Sequence, residues 1–422
     1  MDNVTHTLIG VLVGETAAAI TKPSSQGLSR EQRRSLFVTT MAVGSNLPDL
    51  DFLYSTVTGS KLDYLLHHRG HTHTVVVAIL IAAVLWLACE LWARRRDLRL
   101  SRSDRVALIA IALLAPVLHI FMDMANNYGV HPWWPFDNRW IYGDSVFIVE
   151  PLLWAAAAPT LFMLRTRLAR GDVALVLLTG IALTFLTGLV PLPIAVFYTV
   201  LVAALVYAGR TLPARTALTL GIGVWVATTV GFVATSRLVG QRVDALVAAQ
   251  FPNVHSVDRV LTPMPVNPIC WEVIFIQAEN GTLVLRRAMF SMAPAWIPAE
   301  ACPARGLDVP ITAPLQRVAA EDTRDLKWHG EVRTQINRLV SVWRENCRVD
   351  ALMRFVRAPW LAVVEDRLVA GDLRYDRERG LGFAEIEVES DTEPCPMLVP
   401  PWVPPRNDLL GNETETRPIE GS

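Results

Sequence analysis

Long apolar stretches alternate with short polar ones from the start of the chain to about residue 240. A bilayer span needs about 20 mostly apolar residues. Four windows meet that need, 74–93, 106–122, 173–190 and 216–236. The first holds one acid, Glu90, and the second one proline and one histidine. The last two carry no charge. The stretches 145–164, containing Glu150-Pro151, and 192–208 are plausible further spans. Two shorter stretches, 4–20 and 35–47, read as tilted or half-buried helices. Beyond residue 240 the pattern changes. Prolines crowd in, and Trp271–Ile276 and Thr282–Leu285 read as strands joined by a hairpin at Glu279-Asn280-Gly281. Residues 333–356 predict a helix, 361–389 return to strand-like alternation, and 403–422 read as a disordered tail. The expected fold is an α-helical multi-pass membrane domain over 1–240 followed by a smaller α+β domain over 241–402.

Composition sharpens this division. The 422 residues are 52% hydrophobic and 19% charged, against about 25% charged in a soluble domain. The deficit is local, since 33 of the first 240 residues are charged and 46 of the last 182. High apolar content excludes wholesale disorder. A net charge of −1 gives no support to nucleic-acid binding. The opening Met1-Asp2-Asn3 lacks the basic region and small-residue cleavage site of a signal peptide, so internal spans must enter the membrane.

Loops 21–34, 94–105, 165–172 and 209–215 contain 15 Lys/Arg, whereas the alternating connections contain four. If every apolar stretch crosses, these basic loops share one face, which the positive-inside rule makes cytoplasmic. The domain after residue 240 then lies outside a bacterial cytoplasmic membrane. Cys270, Cys302, Cys347 and Cys395 fall in that domain, an even set that allows two disulfides in three connectivities.

Histidines gather on the other face. Seven of nine precede residue 132, at His6, His67, His68, His71, His73, His119 and His131. His119 and Asp123 stand one helical turn apart. Asp49 and Asp51 lie two apart at a helix stop, His68 and His73 precede a span, His6 opens the first apolar stretch, and Asp144 and Glu150 flank another. Imidazole with carboxylate is the ligand set of Zn, Mn or Fe. The expected divalent-metal ligands are His6, Asp49, Asp51, His68, His73, His119 and Asp123, with zinc first and manganese as the alternative. His67, His71 and His131 read as non-ligands, and Glu15 and Glu90 as facing lipid or helix partners.

Taken in order, Thr5-His6, Asn46-x-Pro48-Asp49-x-Asp51, His68-Arg69-Gly70-x-Thr72-His73, His119-x-x-x-Asp123, Pro135-Phe136 and Gly143-Asp144 resemble the YdjM-type family of membrane-bound metal-dependent hydrolases. The resemblance covers residues 1–165 well, and the stretch after 240 looks like the appended domain of long family members. Two positions depart from the family pattern: Glu150 replaces the usual Asp, and Thr74 the usual Ser. Neither change removes a ligand type. The ligand order is also similar to that of zinc-dependent phospholipase C and related nucleases.

These features point to a metal-dependent hydrolase acting on a phosphoester or lipid-linked substrate at the outer face through a metal-activated water. Asp49 or Asp144 would take the proton, and Arg69 would pair with an anionic phosphoryl group. Trp133, Trp134, Phe136 and Trp140 would anchor at the lipid interface. The alternative is a non-enzymatic membrane protein with a structural metal and a partner-binding outer domain. A divalent-metal transporter ranks last, because no internal repeat accompanies Glu15, Glu90 and Glu150. Neither the metal count nor the oligomeric state follows from the sequence.

Overall fold

The computed structural model describes residues 1–22, 27–304, 311–389 and 394–410. Two helices, α1 (Asn3–Ile20) and α2 (Arg30–Gly44), pack closely against each other. Asp2 caps the first and a Ser29/Gln32 capping box starts the second. A 3₁₀ turn, Leu47–Asp51, leads from α2 into the short helices α3 (Phe52–Thr58) and α4 (Lys61–His67). The hairpin of α5 (Val75–Arg95) and α6 (Arg102–Met124) follows.

Then come α7 (Pro151–Ala156), α8 (Arg167–Leu186), α9 (Leu192–Thr211) and α10 (Ala214–Gln250). Among the described residues α5, α6, α8, α9 and α10 are long and apolar enough to cross a membrane. Their outward side chains are apolar, as at Leu80, Val84, Leu175 and Val200.

The stretch 145–164 is not a span. It forms α7 and a 3₁₀ turn, Ala158–Phe162, and residues Leu153–Ala158 are buried inside the bundle. Pro151 and Pro159 lack the amide donors that one continuous helix would need. The four-stranded sheet starts only after α10, which runs unbroken past residue 240. At 37 residues it is about 55 Å long, so it exceeds a hydrocarbon core of about 30 Å. It carries apolar side chains into the second half, where Phe232 meets Trp271.

That half contains an antiparallel meander, β1 (His255–Met264), β2 (Asn267–Glu279), β3 (Thr282–Ser291) and β4 (Leu326–Gln335), in sequential order. The expected hairpin is present. Asn280 and Gly281 both take positive φ, 49° and 74°, as a two-residue type I′ turn requires. The single helix expected over 333–356 is instead the end of β4 followed by α11 (Ile336–Glu345) and α12 (Cys347–Met353). The break falls at Asn346, whose side chain caps α12. A second sheet joins β5 (Pro359–Val364), β6 (Arg367–Asp372) and β7 (Glu385–Glu387).

The disulfides are Cys270–Cys302 and Cys347–Cys395, and Cys89 is free and buried. Residues 403–410, expected as part of the tail, are ordered: Asn407–Leu410 forms a 3₁₀ turn with Leu409 buried. Residues 411–422 lie outside the described residues.

Two buried acids sit beside the second sheet. Asp376 accepts the amides of Thr312 and Ala313, and Glu385 accepts that of Gly382. Burial and the neighbouring Asp376 push the Glu385 carboxyl up to about 7 from its ordinary 4.5. The folded state therefore binds more protons than the unfolded state in that window, and stability falls as pH rises through it. The melting temperature should drop between pH 4.5 and about 7. Glu385→Gln should flatten that slope in thermal scans, and an unchanged slope would assign it to another group.

Candidate metal centre

The candidate ligands come from five elements whose ends meet at one end of the bundle. Asp49 and Asp51 sit on the 3₁₀ turn after α2, begun by Pro48. His68 follows α4, and His73 closes a 3₁₀ turn, His71–His73, before α5. His119 and Asp123 occupy the last turns of α6, and His6 the first turn of α1.

One ligand atom from each of Asp49, His73, His119 and Asp123 lies within 4.8 Å of the others, and all four residues are buried. The two Nε2 atoms are 3.0 Å apart. Asp49 Oδ1 is 3.3 Å from His73 Nε2 and 3.4 Å from His119 Nε2. Asp123 Oδ2 is 3.1 and 3.4 Å from the same atoms.

The neighbours decide which imidazole nitrogens carry hydrogen. His119 Nδ1 donates to the Ser45 carbonyl at 2.7 Å. His73 Nδ1 donates to Thr72 Oγ1 at 3.0 Å, and that hydroxyl donates to Asp51 at 2.7 Å. Both Nδ1 positions are therefore protonated, and in neutral rings both Nε2 lone pairs point into the cluster. Two lone pairs and two carboxylate oxygens converge there, and burial forbids leaving such acceptors unmatched. The carboxylates of Asp49 and Asp51 raise the His73 imidazole above its ordinary value against the lowering effect of its burial. Burial works to raise the Asp49 carboxyl, but His119 and His73 hold it well below the carboxylate range. The space thus attracts positive charge, and its donor set fits a divalent cation. Asp51 behind His73 is the outer carboxylate that commonly fixes a ligand imidazole.

The remaining predicted residues divide into those around this group and those away from it. His6 stacks on His119 at 3.7 Å, and its Nε2 donates to Asp123 Oδ1 at 3.1 Å. Its buried Nδ1 has no hydrogen-bond partner among the described residues. The Met1 amine also meets Asp123. His68 bonds Asp51 at 2.9 Å and, with Asp49 and Asp51, forms a second, more open group.

Arg69 is buried and committed. Its Nε lies 3.0 Å from Asp123 Oδ2, one guanidinium nitrogen donates to Asn126 at 2.9 Å, and the plane covers Tyr128. It positions Asp123 and does not face an open phosphoryl site. Asp144 is not brought into the cluster; it pairs with Arg357 at 2.9 Å, and Arg357 also binds Asp258 at 2.8 Å. Glu150 instead accepts the amides of Leu152 and Val266.

His67 bonds the Leu398 carbonyl, His71 meets Trp134 and Trp402, and His131 stacks between Trp140 and Trp402. Trp140 is buried and Trp134 half-buried, so of the four expected interface aromatics only Trp133 and Phe136 are exposed. Glu15 and Glu90 pair with Arg34 and Arg105.

Trp402 was not legible as part of this site. It is fully buried, and its indole donates to the Leu66 carbonyl at 2.8 Å. A Cβ at Gly70 would lie 2.8 Å from the His67 carbonyl oxygen and 3.1 Å from the Trp402 ring. Glycine is therefore what lets the loop carrying His68 and His73 fit beneath the indole. No local pattern marks Trp402, because it acts more than 300 residues from its partner. Asn126 was also missed, although it stands three residues after Asp123.

Residues 1–195 match the model of the family described as YdjM inner membrane protein. This bears out the resemblance drawn from the motifs. The match includes every candidate ligand and ends within α9. Over 158 residues the chain is 27% identical to "Uncharacterized protein YfhP" of Bacillus subtilis (strain 168), covering 36% of this chain and 43% of that protein. The shared part is thus less than half of that relative's length. No solved structure matches the chain.

Removing an outer partner of a ligand histidine commonly weakens metal affinity about 10–100-fold. If the cluster holds a divalent cation, Asp51→Asn should weaken its binding by that order in competition titrations, with helical content retained. Trp402→Ala should likewise lower metal occupancy, and equal occupancy in wild type and variant would remove the indole from the site.

Proposed function

We propose that the protein is a membrane-embedded, divalent-metal-dependent hydrolase, with a phosphoester or lipid-linked molecule as substrate. The observation that carries this reading is the convergence of four buried acceptors from Asp49, His73, His119 and Asp123 with their Nδ1–H groups already used. Zinc is the first expectation for that donor set and manganese the second. A divalent ion supplies Lewis acidity toward a phosphoryl oxygen and activation of water near neutral pH.

The protein's own residues do the rest. His6 packs against His119 and holds the far oxygen of Asp123, while Arg69 holds the near one. Asp49 belongs both to the buried group and to the more open group with Asp51 and His68. It therefore stands where an attacking water would lose its proton, and it is our choice of base. Asp144, tied to Arg357, keeps the loop after α6 against the outer domain.

We place the protein in a bacterial cytoplasmic membrane as a multi-pass chain, with the arginine-rich ends cytoplasmic and residues 241–402 outside. Two disulfides in that domain suit an oxidising compartment. The second reading, a structural ion with a partner-binding outer domain, draws on the burial of all four donors.

Elemental mass spectrometry of the detergent-purified protein tests the site, beside His119→Ala/Asp123→Ala. About one or two zinc or manganese ions per chain, lost in the variant, are expected. Vesicle-embedded phospholipid and a soluble chromogenic phosphodiester then serve as substrates. Hydrolysis should stop with a chelator and return with the metal. Folded protein without metal, or metal unchanged in the variant, would sink the site. Bound metal without hydrolysis of either substrate would favour the structural ion.

A further inference from the structure

The mouth of the cluster is marked by its exposed members. His73, His119 and Asp123 are fully buried, whereas Asp51 and His68 reach partial exposure. The edge at which the site meets its surroundings is therefore the Asp51–His68 side. Two chain segments border it. One is α3, which begins immediately after Asp51 and brings Tyr54 against His67 at 4.2 Å. The other is the stretch Met397–Val399, held there by the bond between His67 and the Leu398 carbonyl.

Both segments have the wrong surface for water. α3 has no buried residue, yet Phe52, Leu53 and Val57 point outward, and Val57 is 86% exposed. Leu53 and Val57 are one turn apart, so they form a single apolar face. In the second segment Met397 is 93% exposed and Leu398 and Val399 are exposed beside it. Contiguous exposed apolar side chains of this kind mark contact surfaces.

The apolar face of the bundle continues to this same end. Val76, Ile79, Leu80 and Val84 line the outer side of α5, whose first amide bonds the Pro132 carbonyl, next to the exposed Trp133. The apolar borders of the mouth thus lie at the level where the lipid-facing helices end, and a short helix with one apolar face is suited to lie in the interface.

We propose that α3 and Met397–Val399, which both meet His67, form a lipid-contacting lip beside the Asp51–His68 mouth. Its occupant is the interfacial layer of the bilayer leaflet. The substrate class that fits is an amphiphile that keeps its hydrocarbon chains in the leaflet and brings its phosphoester headgroup past this lip to the mouth. The substrate clause rests on the hydrolase reading above, and the lipid contact does not.

The test uses full-length protein with both disulfides intact, Cys89→Ser as background, and a nitroxide on Val57→Cys or Met397→Cys. The samples are reconstituted in phosphatidylethanolamine/phosphatidylglycerol vesicles. Collision with oxygen, which concentrates in the bilayer, is compared with collision with a water-soluble nickel chelate. Val84→Cys is the lipid reference, and Glu365→Cys, on an exposed turn, the water reference. Both lip positions should resemble Val84, with nickel collisions several-fold below those at Glu365. Nickel access equal to that at Glu365 would overturn the proposal, as would shielding from both reagents, which would place a second protein chain there. Leu53→Cys, on the same face as Val57, serves if either label disturbs folding. No turnover or metal enters this readout, so its failure and that of the hydrolase reading are told apart.

Discussion

Everything at the site end of this molecule answers one electrostatic constraint. Four acceptor atoms, two imidazole and two carboxylate, face each other in a space closed to water. Such a group is stable only with positive charge among or beside it. Each element near it supplies a hydrogen bond that orients a donor or a cation that balances one. Ser45 and the Thr72–Asp51 pair turn the imidazoles inward, and Arg69 sits on Asp123. Arg69 takes positive φ, and its own amide bonds Asp51 at 3.0 Å. Backbone in that region is held only where its surroundings compensate.

The second consequence concerns the β-rich half. It does not hang from the bundle by a linker. α10 carries straight into it, Arg357 reaches back to Asp144, Val266 donates to Glu150, and Trp402 roofs the loop of His68 and His73. Trp402 holds the stretch between α4 and α5, and the contacts to Asp144 and Glu150 hold the connection between α6 and α7; these stretches carry or border the donors. The β-rich half is therefore part of what keeps the donor geometry, and its two disulfides hold chain segments far apart in sequence: Cys347–Cys395 ties the stretch before Trp402 to α12.

The same placement sets the hydrolase reading beside the bilayer. The cluster lies at the ends of α5 and α6, and α3, which begins right after Asp51, exposes apolar side chains. A soluble enzyme would expose such borders to water at a solubility penalty. With five membrane-competent helices among the described residues, such borders fit the surface these helices offer to lipid.

Short-range patterns in the sequence were enough for much of this. Apolar run length marked four spans and offered 192–208 as a plausible further one, a strand–Asn-Gly–strand pattern marked the β2–β3 hairpin, and helical spacing joined His119 to Asp123. The clustering of histidines against arginines put the candidate ligands at one end. These features are legible because helix period, turn chemistry and hydropathy act within a few residues. The tertiary structure decided what depends on distant partners. Residues 145–164 looked long enough to cross, but their neighbours bury a broken helix. Asp144 and Arg69 carried the right chemistry and were claimed by Arg357 and Asp123. Trp402 had no signal at all, because its role exists only once residues 66–73 lie beneath it. Which acid meets which base across hundreds of residues is set by packing, and no local pattern encodes it.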